Sequence, residues 1–258
     1  MEKRYLFVAN WKMRFHLDEA LHFASSNYDD LVELANTSDR TIVLCSDFVA
    51  LYPLVKMFKG TNVAVGAQDC SKHINGPFTG HVPATSLHKV GCSYCIVGHS
   101  ERRKHNGETS PIISQKMSHL LDYDVSPIVC IGETKEEYEQ KQTLDVLEEQ
   151  LAPILELLEK RAAISKYTSI SIAYEPIWSI GTGNIPTLEH LNTIFAWINE
   201  KVHGVSENIT WSFLYGGSVD GNNVAYLKQV EHCNGFLMGK SGTDFQEFKN
   251  VVDLVALK

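Results

Sequence analysis

No stretch of the sequence approaches the roughly 18 consecutive apolar residues that a membrane helix needs, which argues against a helical anchor. The apolar stretch near the start, Tyr5–Ala9, is far too short for the core of a secretory signal. Positive charge is also scarce: 23 Lys+Arg stand against 31 Asp+Glu, a formal charge of −8. That balance argues against nucleic acid or an anionic membrane as the main partner. A small anionic substrate stays open, because a few local donors outweigh a distant net charge. No Gly/Ser or Pro-rich linker, low-complexity tract or block of like charge divides the chain, so a single domain over residues 1–258 is expected. No His/Cys/Asp cluster has metal-ligand spacing, and no P-loop or dinucleotide-binding glycine fingerprint occurs. Neither a metal nor a redox cofactor is called for. The six cysteines are scattered. Without a secretory signal they read as reduced thiols of a cytoplasmic protein. Cys92-x-x-Cys95 runs into an apolar stretch rather than capping a helix, so it reads as packing rather than a redox pair.

What is present is a rhythm. The chain is 44% hydrophobic and 21% charged, an ordinary globular mixture. Short runs rich in β-branched and apolar residues recur at Tyr5–Asn10, Thr41–Ser46, Asn62–Gln68, Tyr94–Gly98, Pro127–Gly132, Ser169–Glu175, Trp211–Gly216 and Gly235–Gly239. Between them lie segments with helical spacing, among them Leu17–Leu34, Ser110–Leu121, Lys135–Lys160, Leu188–Val202 and Val219–Val230, with a closing helix near Phe245–Leu257. Short strands alternating with helices predict parallel βαβ units. Near-continuous apolar strands suit a sheet covered by helices on its outer face. Eight such units in about 250 residues predict an α/β fold, a (β/α)₈ barrel, with an open doubly wound sheet as the alternative. Pro153, inside the longest helical segment, should kink or split it.

A barrel of this kind carries its chemistry where strands end. Those ends read Asn10-Trp11-Lys12, Gly98-His99-Ser100-Glu101-Arg102, Tyr174-Glu175-Pro176, Tyr215-Gly216-Gly217-Ser218 and Gly239-Lys240-Ser241-Gly242. Glu175 at a desolvated strand end suits a general base, although an ion-paired glutamate is the commoner use. His99 suits an electrophile that donates a hydrogen bond to a carbonyl, although one of 11 histidines in a loop is more often structural. Lys12 suits a developing oxyanion, and Asn10 can orient it; each alone is equally a surface or backbone-satisfying residue. The glycine turns at Gly181-Thr182-Gly183, Gly216-Gly217-Ser218 and Gly239–Gly242 can aim backbone N–H groups at a phosphate. Together a base, a neutral electrophile, a cation and phosphate donors describe proton abstraction beside a carbonyl in a small phosphorylated substrate.

The stretches Asn10-Trp11-Lys12-Met13, Gly66-Ala67-Gln68, Phe78-Thr79-Gly80, Val97–Arg103, Cys130-Ile131-Gly132-Glu133, Ala173–Trp178 with Gly181-Thr182-Gly183, and Leu214–Val219 follow one another in an order that resembles the triosephosphate isomerase family. The resemblance covers essentially the whole chain. It implies a (β/α)₈ barrel that interconverts dihydroxyacetone phosphate and D-glyceraldehyde 3-phosphate through an enediolate. It implies Glu175 as base, His99 as an electrophile kept neutral by a helix N-terminus, Lys12 as the cation that also touches the phosphate, and Asn10 in the same pocket. Glu101 would hold Lys12 and the strand-4 loop, with Cys130 in support. Phosphate would be met by N–H groups of Gly181, Ser218, Gly239 and Lys240. A lid would run from a first hinge, Pro176-Ile177-Trp178, through Ser179, Ile180, Gly181, Thr182 and Gly183, to a second hinge, Asn184-Ile185-Pro186. Tyr215 and Ser218 would hold it closed. The resemblance also implies a homodimer, with Thr79, His81 and Arg102 at the interface.

Four departures from the family pattern stand out. Lys240 takes a place where glycine is common and would add a cation near the phosphate. Ser241-Gly242-Thr243 alters the start of the phosphate helix, and Pro186 stiffens the second hinge or starts the next helix. His81 replaces a common glutamate and Asp69 a common asparagine, which predicts a weaker and more pH-sensitive dimer, since histidine charges between about pH 5 and 8. Two other functions fit less of the pattern: an isomerase of a four-carbon ketose phosphate, and a catalytically silent barrel used for binding.

Overall fold

The apolar runs become eight parallel strands: β1 (Tyr5–Asn10), β2 (Arg40–Ser46), β3 (Ala64–Ala67), β4 (Tyr94–Val97), β5 (Ser126–Ile131), β6 (Thr168–Tyr174), β7 (Ile209–Tyr215) and β8 (Gly235–Met238). They close in sequence order into a barrel in the computed structural model, which describes residues 4–161 and 168–256. The seam lies between β1 and β8, where Leu6 is level with Gly235 and Ala9 with Met238. The doubly wound alternative is therefore replaced by ring closure.

The strands are apolar towards their C-terminal ends, where both faces are buried. Leu6, Val8, Val43, Ile96, Ile128, Leu214 and Leu237 fill the barrel interior as one cluster. Phe7, Ile42, Leu44, Val97, Val129, Ile172 and Phe236 face outward into a second cluster under the helices. Those helices are α1 (Leu17–Ser26), α2 (Tyr28–Ala35), α3 (Phe48–Met57), α4 (Ala84–Val90), α5 (Ser100–Asn106), α6 (Ser110–Asp122), α7 (Lys135–Glu139), α8 (Thr143–Lys160), α9 (Leu188–Val202), α10 (Val224–Leu227) and α11 (Phe245–Ala256). None of the described helices is long and apolar enough to cross a membrane.

Several predicted boundaries move. The Leu17–Leu34 segment is two helices, broken at Asn27, whose amide donates to the Phe23 carbonyl at 2.7 Å and competes with helix propagation. The Lys135–Lys160 segment does break, but not at Pro153. The break falls at Gln140-Lys141-Gln142, where Lys141 takes a left-handed φ of 59°. Pro153 sits inside the continuous α8, because Leu147, Leu151, Ile154 and Leu158 bury one face and override the lost backbone bond. Val219–Val230 contracts to the four residues of α10. Leu257, the expected end of the closing helix, lies outside the described residues. The six cysteines are buried and free. Burial pushes the Cys92 thiol up to about 12, which leaves no thiolate for redox chemistry.

Candidate active site

A cavity of about 450 Å³ opens at the C-terminal end of the barrel, and the strand ends named above converge on it. Asn10, Lys12, His99, Glu175, Gly181, Ser218, Gly239 and Lys240 all line it. In the sequence these residues are spread over more than two hundred positions; closure of the ring brings them together.

Lys12 follows β1 with φ at 52°, a conformation that side chains avoid. Two contacts hold it there. The Asn10 side-chain oxygen accepts from the Lys12 backbone N–H at 3.1 Å, and the Gln68 amide donates to the Lys12 carbonyl at 2.9 Å. The Lys12 ammonium then meets Glu101 at 2.8 Å. Burial alone would raise the Glu101 carboxyl, but the Lys12 ammonium and His99 outweigh it, so it lies below its ordinary value.

His99 caps α5. Its Nδ1 accepts from the Glu101 backbone N–H at 3.2 Å. A ring nitrogen that accepts carries no proton, so the ring proton sits on Nε2. That nitrogen lies 3.2 Å from Glu175 Oε1. Glu175 is only 2% exposed, and its other oxygen faces the Ser100 N–H at 3.4 Å. Two glycines make room for it. A Cβ on Gly132 would lie 1.9 Å from the Glu175 carbonyl, and one on Gly216 would lie 2.7 Å from Glu175 Cγ. Arg103 braces the same floor, donating to the Gly98 carbonyl at 2.9 Å and the Cys130 carbonyl at 3.0 Å. The Cys130 thiol is driven up by burial and by the Glu175 charge beside it, which suits a supporting place and not a nucleophile.

Pro176 precedes a short 3₁₀ turn, Ile177–Ser179, that opens the segment crossing the cavity rim. Within it, Ile180, Gly181 and Gly183 face the cavity. Trp178 points away, donates its indole N–H to Glu133 at 2.8 Å and packs on Tyr138 with ring centroids 4.5 Å apart. Thr182 folds back, its hydroxyl donating to the Trp178 carbonyl at 3.1 Å. Ser218 donates to the Ser179 carbonyl at 2.7 Å and accepts from the Gly183 N–H at 3.2 Å. Tyr215 is buried beneath, with its hydroxyl on Ser179. Pro186 lies outside α9, which begins at Leu188 after a Thr187 cap. The Lys240 side chain is exposed at the cavity edge. Ser241–Thr243 forms a 3₁₀ turn tied down by the Ser241 hydroxyl on the Val219 carbonyl, 2.6 Å, and by the Trp11 indole on the Gly242 carbonyl, 2.9 Å.

Thr79 and His81 are exposed on the β3–α4 connection and do not line the cavity. Arg102 joins a half-buried charge cluster: it lies 2.7 Å from both Asp69 and Glu108, and Lys116 meets the same carboxylates at 2.5 and 2.6 Å. Asp69 thus has two cationic partners. Burial, the largest influence on it, still leaves its carboxyl above the ordinary value.

The triosephosphate isomerase family model matches residues 5–255, as nearly the whole barrel requires. The chain belongs to the triosephosphate isomerase family. It is similar to the triosephosphate isomerase of Aquifex aeolicus, 36% identical over 96% of this chain and 98% of that one. It is also similar to those of Endomicrobium trichonymphae, 34% identical over 96% and 97%, and Nitrosococcus oceani, 36% over 95% and 96%. Among the residues of this family member's site, Gln68, Arg103, Glu133 and Gly132 carry no assigned role in the sequence, and Gly216 only that of a phosphate turn. The two glycines beside strand ends carried a signal, because a strand end that packs against another backbone excludes a side chain. The others act through backbone carbonyls or ring N–H groups far away in sequence and left none.

Proposed function

We propose that this isomerase of the triosephosphate isomerase family interconverts dihydroxyacetone phosphate and D-glyceraldehyde 3-phosphate with Glu175 as its base. The observation that carries the proposal is the buried Glu175 carboxylate, 3.2 Å from the protonated nitrogen of His99 and in one cavity with Lys12. Glu175 takes the proton from the carbon beside the carbonyl. The C–H pair becomes a C=C bond, and the carbonyl pair moves onto its oxygen. That oxyanion faces the His99 Nε2–H and the Lys12 ammonium, donors already in place before charge develops. The His99 Nε2–H gives its proton to that oxyanion and takes the one from the hydroxyl on the first carbon, whose oxygen re-forms a carbonyl as Glu175 returns its own proton to the neighbouring carbon. Backbone N–H groups of Gly181, Ser218, Gly239 and Lys240 take the phosphate, and Lys240 brings a further ammonium to that end. The segment from Pro176 to Pro186 is the lid, which keeps water from the enediolate.

Side chains next to the site support a homodimer: Met13, beside Lys12, is 96% exposed, and Val49 is 66% exposed. Phe48 and Phe78 add further exposed apolar surface. A second copy with its Thr79–His81 loop against this surface would cover it, as one domain on each side. A cytoplasmic location fits six reduced, buried thiols.

A coupled assay on D-glyceraldehyde 3-phosphate, wild type beside Glu175→Gln, tests the assignment. Removal of the base should lower kcat by about 10²–10⁴ while the substrate still binds. A variant as fast as wild type would remove Glu175 from the reaction, and a wild type without turnover would remove the substrate.

A further inference from the structure

Ser179 has no accessible surface, whereas the lid residues just after it, Gly181, Thr182, Gly183 and Asn184, are all exposed. Its hydroxyl oxygen lies 2.6 Å from the Asn184 carbonyl, 2.8 Å from the Tyr215 hydroxyl and 3.5 Å from the Ser218 backbone N–H. The direction of each bond follows from the inventory of donors. A hydroxyl has one proton, and the Asn184 carbonyl can only accept, so the Ser179 proton goes to Asn184. Tyr215 is then the donor to Ser179, and the Ser218 N–H is a longer second donor. The Ser179 backbone carbonyl meanwhile receives the Ser218 hydroxyl at 2.7 Å.

We propose that Ser179 is the latch of the lid, a positioning residue through which Tyr215 and Ser218 hold the lid on the β7 end of the barrel. The inference rests on the isomerase reading above and adds to it a residue whose side chain touches no substrate. The Ser179 side chain is the junction: it ties the first half of the lid to the second through Asn184 and to the barrel through Tyr215. Gly217 belongs to the same device. A Cβ there would lie 2.2 Å from the Tyr215 hydroxyl and 2.6 Å from Ser179 Oγ, so the turn after β7 comes close to the latch only as glycine.

The test combines kinetics with amide hydrogen exchange on the full chain. In Ser179→Ala the lid amides of residues 180–184 should exchange faster than in wild type, with the thermal midpoint little changed. The variant should lose about tenfold in kcat/KM, as expected for two hydrogen bonds removed without a new partner. It should also release more inorganic phosphate per isomerisation, since a loose lid exposes the enediolate. Because Tyr215 acts through Ser179, the double variant with Tyr215→Phe should lose no more than Ser179→Ala alone. Gly217→Ala should speed lid exchange in the same way. Exchange and kinetics of Ser179→Ala equal to wild type would overturn the latch, and so would losses of the two single variants that multiply in the double. Exchange does not depend on turnover, so a wild type inactive on triose phosphate would sink the isomerase reading and leave the latch to be judged by its own measurement.

Discussion

Glu175, the proposed base, shows how little space a buried carboxylate leaves around itself. The contact that positions it most tightly is not a hydrogen bond but the missing side chain of Gly216, whose hypothetical Cβ would lie 2.7 Å from Glu175 Cγ. A methyl there must push the carboxylate from its place beside His99. Misplacement of a reacting group by about 1 Å costs on the order of a hundredfold in rate. Gly216→Ala should therefore lower kcat by about that factor, with KM changed far less. Steady-state kinetics decide this, and a variant with wild-type kcat would show that the pocket gives way instead. Lys12 makes the complementary point. Its left-handed backbone is held by Asn10 and Gln68, so two uncharged side chains decide where a charge sits.

At the scale of elements, Glu133 connects the β5–α7 loop to the end of β6 and to Trp178. One of its oxygens receives the Trp178 indole at 2.8 Å and the Tyr174 hydroxyl at 3.1 Å, and the other is buried without a partner. Burial raises the Glu133 carboxyl above its ordinary value near 4.5, against the lowering effect of the Trp178 donor. The folded protein thus keeps this proton to a higher pH than the unfolded chain does. The stability that results is fully present below about pH 4.5 and is lost as pH rises through the raised value. Glu133→Gln cannot ionise but keeps an oxygen for the two donors. Its thermal midpoint should gain on wild type as pH rises from 4 towards 7, the interval in which an ordinary carboxyl near 4.5 and a raised one differ. Parallel curves for the two proteins would show that Glu133 titrates alike in both states.

The strands were legible because a barrel buries both faces of each one, so that apolar runs betray them without periodicity. Helix breaks at Asn27 and Lys141 were not, since neither carries glycine or proline; local side-chain and turn geometry made them. Pro153 misled for the opposite reason, a strong local signal overruled by packing. That Asn10, Lys12, His99 and Glu175 meet in one cavity was legible from their places at strand ends. Their supports were not: Gln68 reaches Lys12 across 56 positions of sequence, a contact that exists only once β1 and β3 stand in the same ring.

For the molecule as a whole, Met13, Phe48, Val49 and Phe78 are exposed apolar side chains that a second copy would cover. His81 lies on the loop that would enter that interface. Its Nδ1 is 3.0 Å from the Ser71 hydroxyl, and its ring is 5.9 Å from His73. His81→Glu, which puts back the carboxylate common in the family at this place, should tighten the dimer by about tenfold or less in sedimentation. An affinity equal to wild type would remove His81 from the interface balance.

The seam of the barrel joins the first strand to the last. Leu6 stands beside Gly235, and a Cβ on Gly235 would lie 2.5 Å from the Leu6 carbonyl. A ribosome making this chain has already released Lys12, His99 and Glu175 before it reaches β8. Until residues 235–238 emerge, β1 has an open edge, and Gly239 and Lys240 are not yet there to meet the phosphate. A chain made as far as β7 carries all three of these side chains and no closed cavity, and its unpaired first strand must be kept from other nascent chains until the last one arrives.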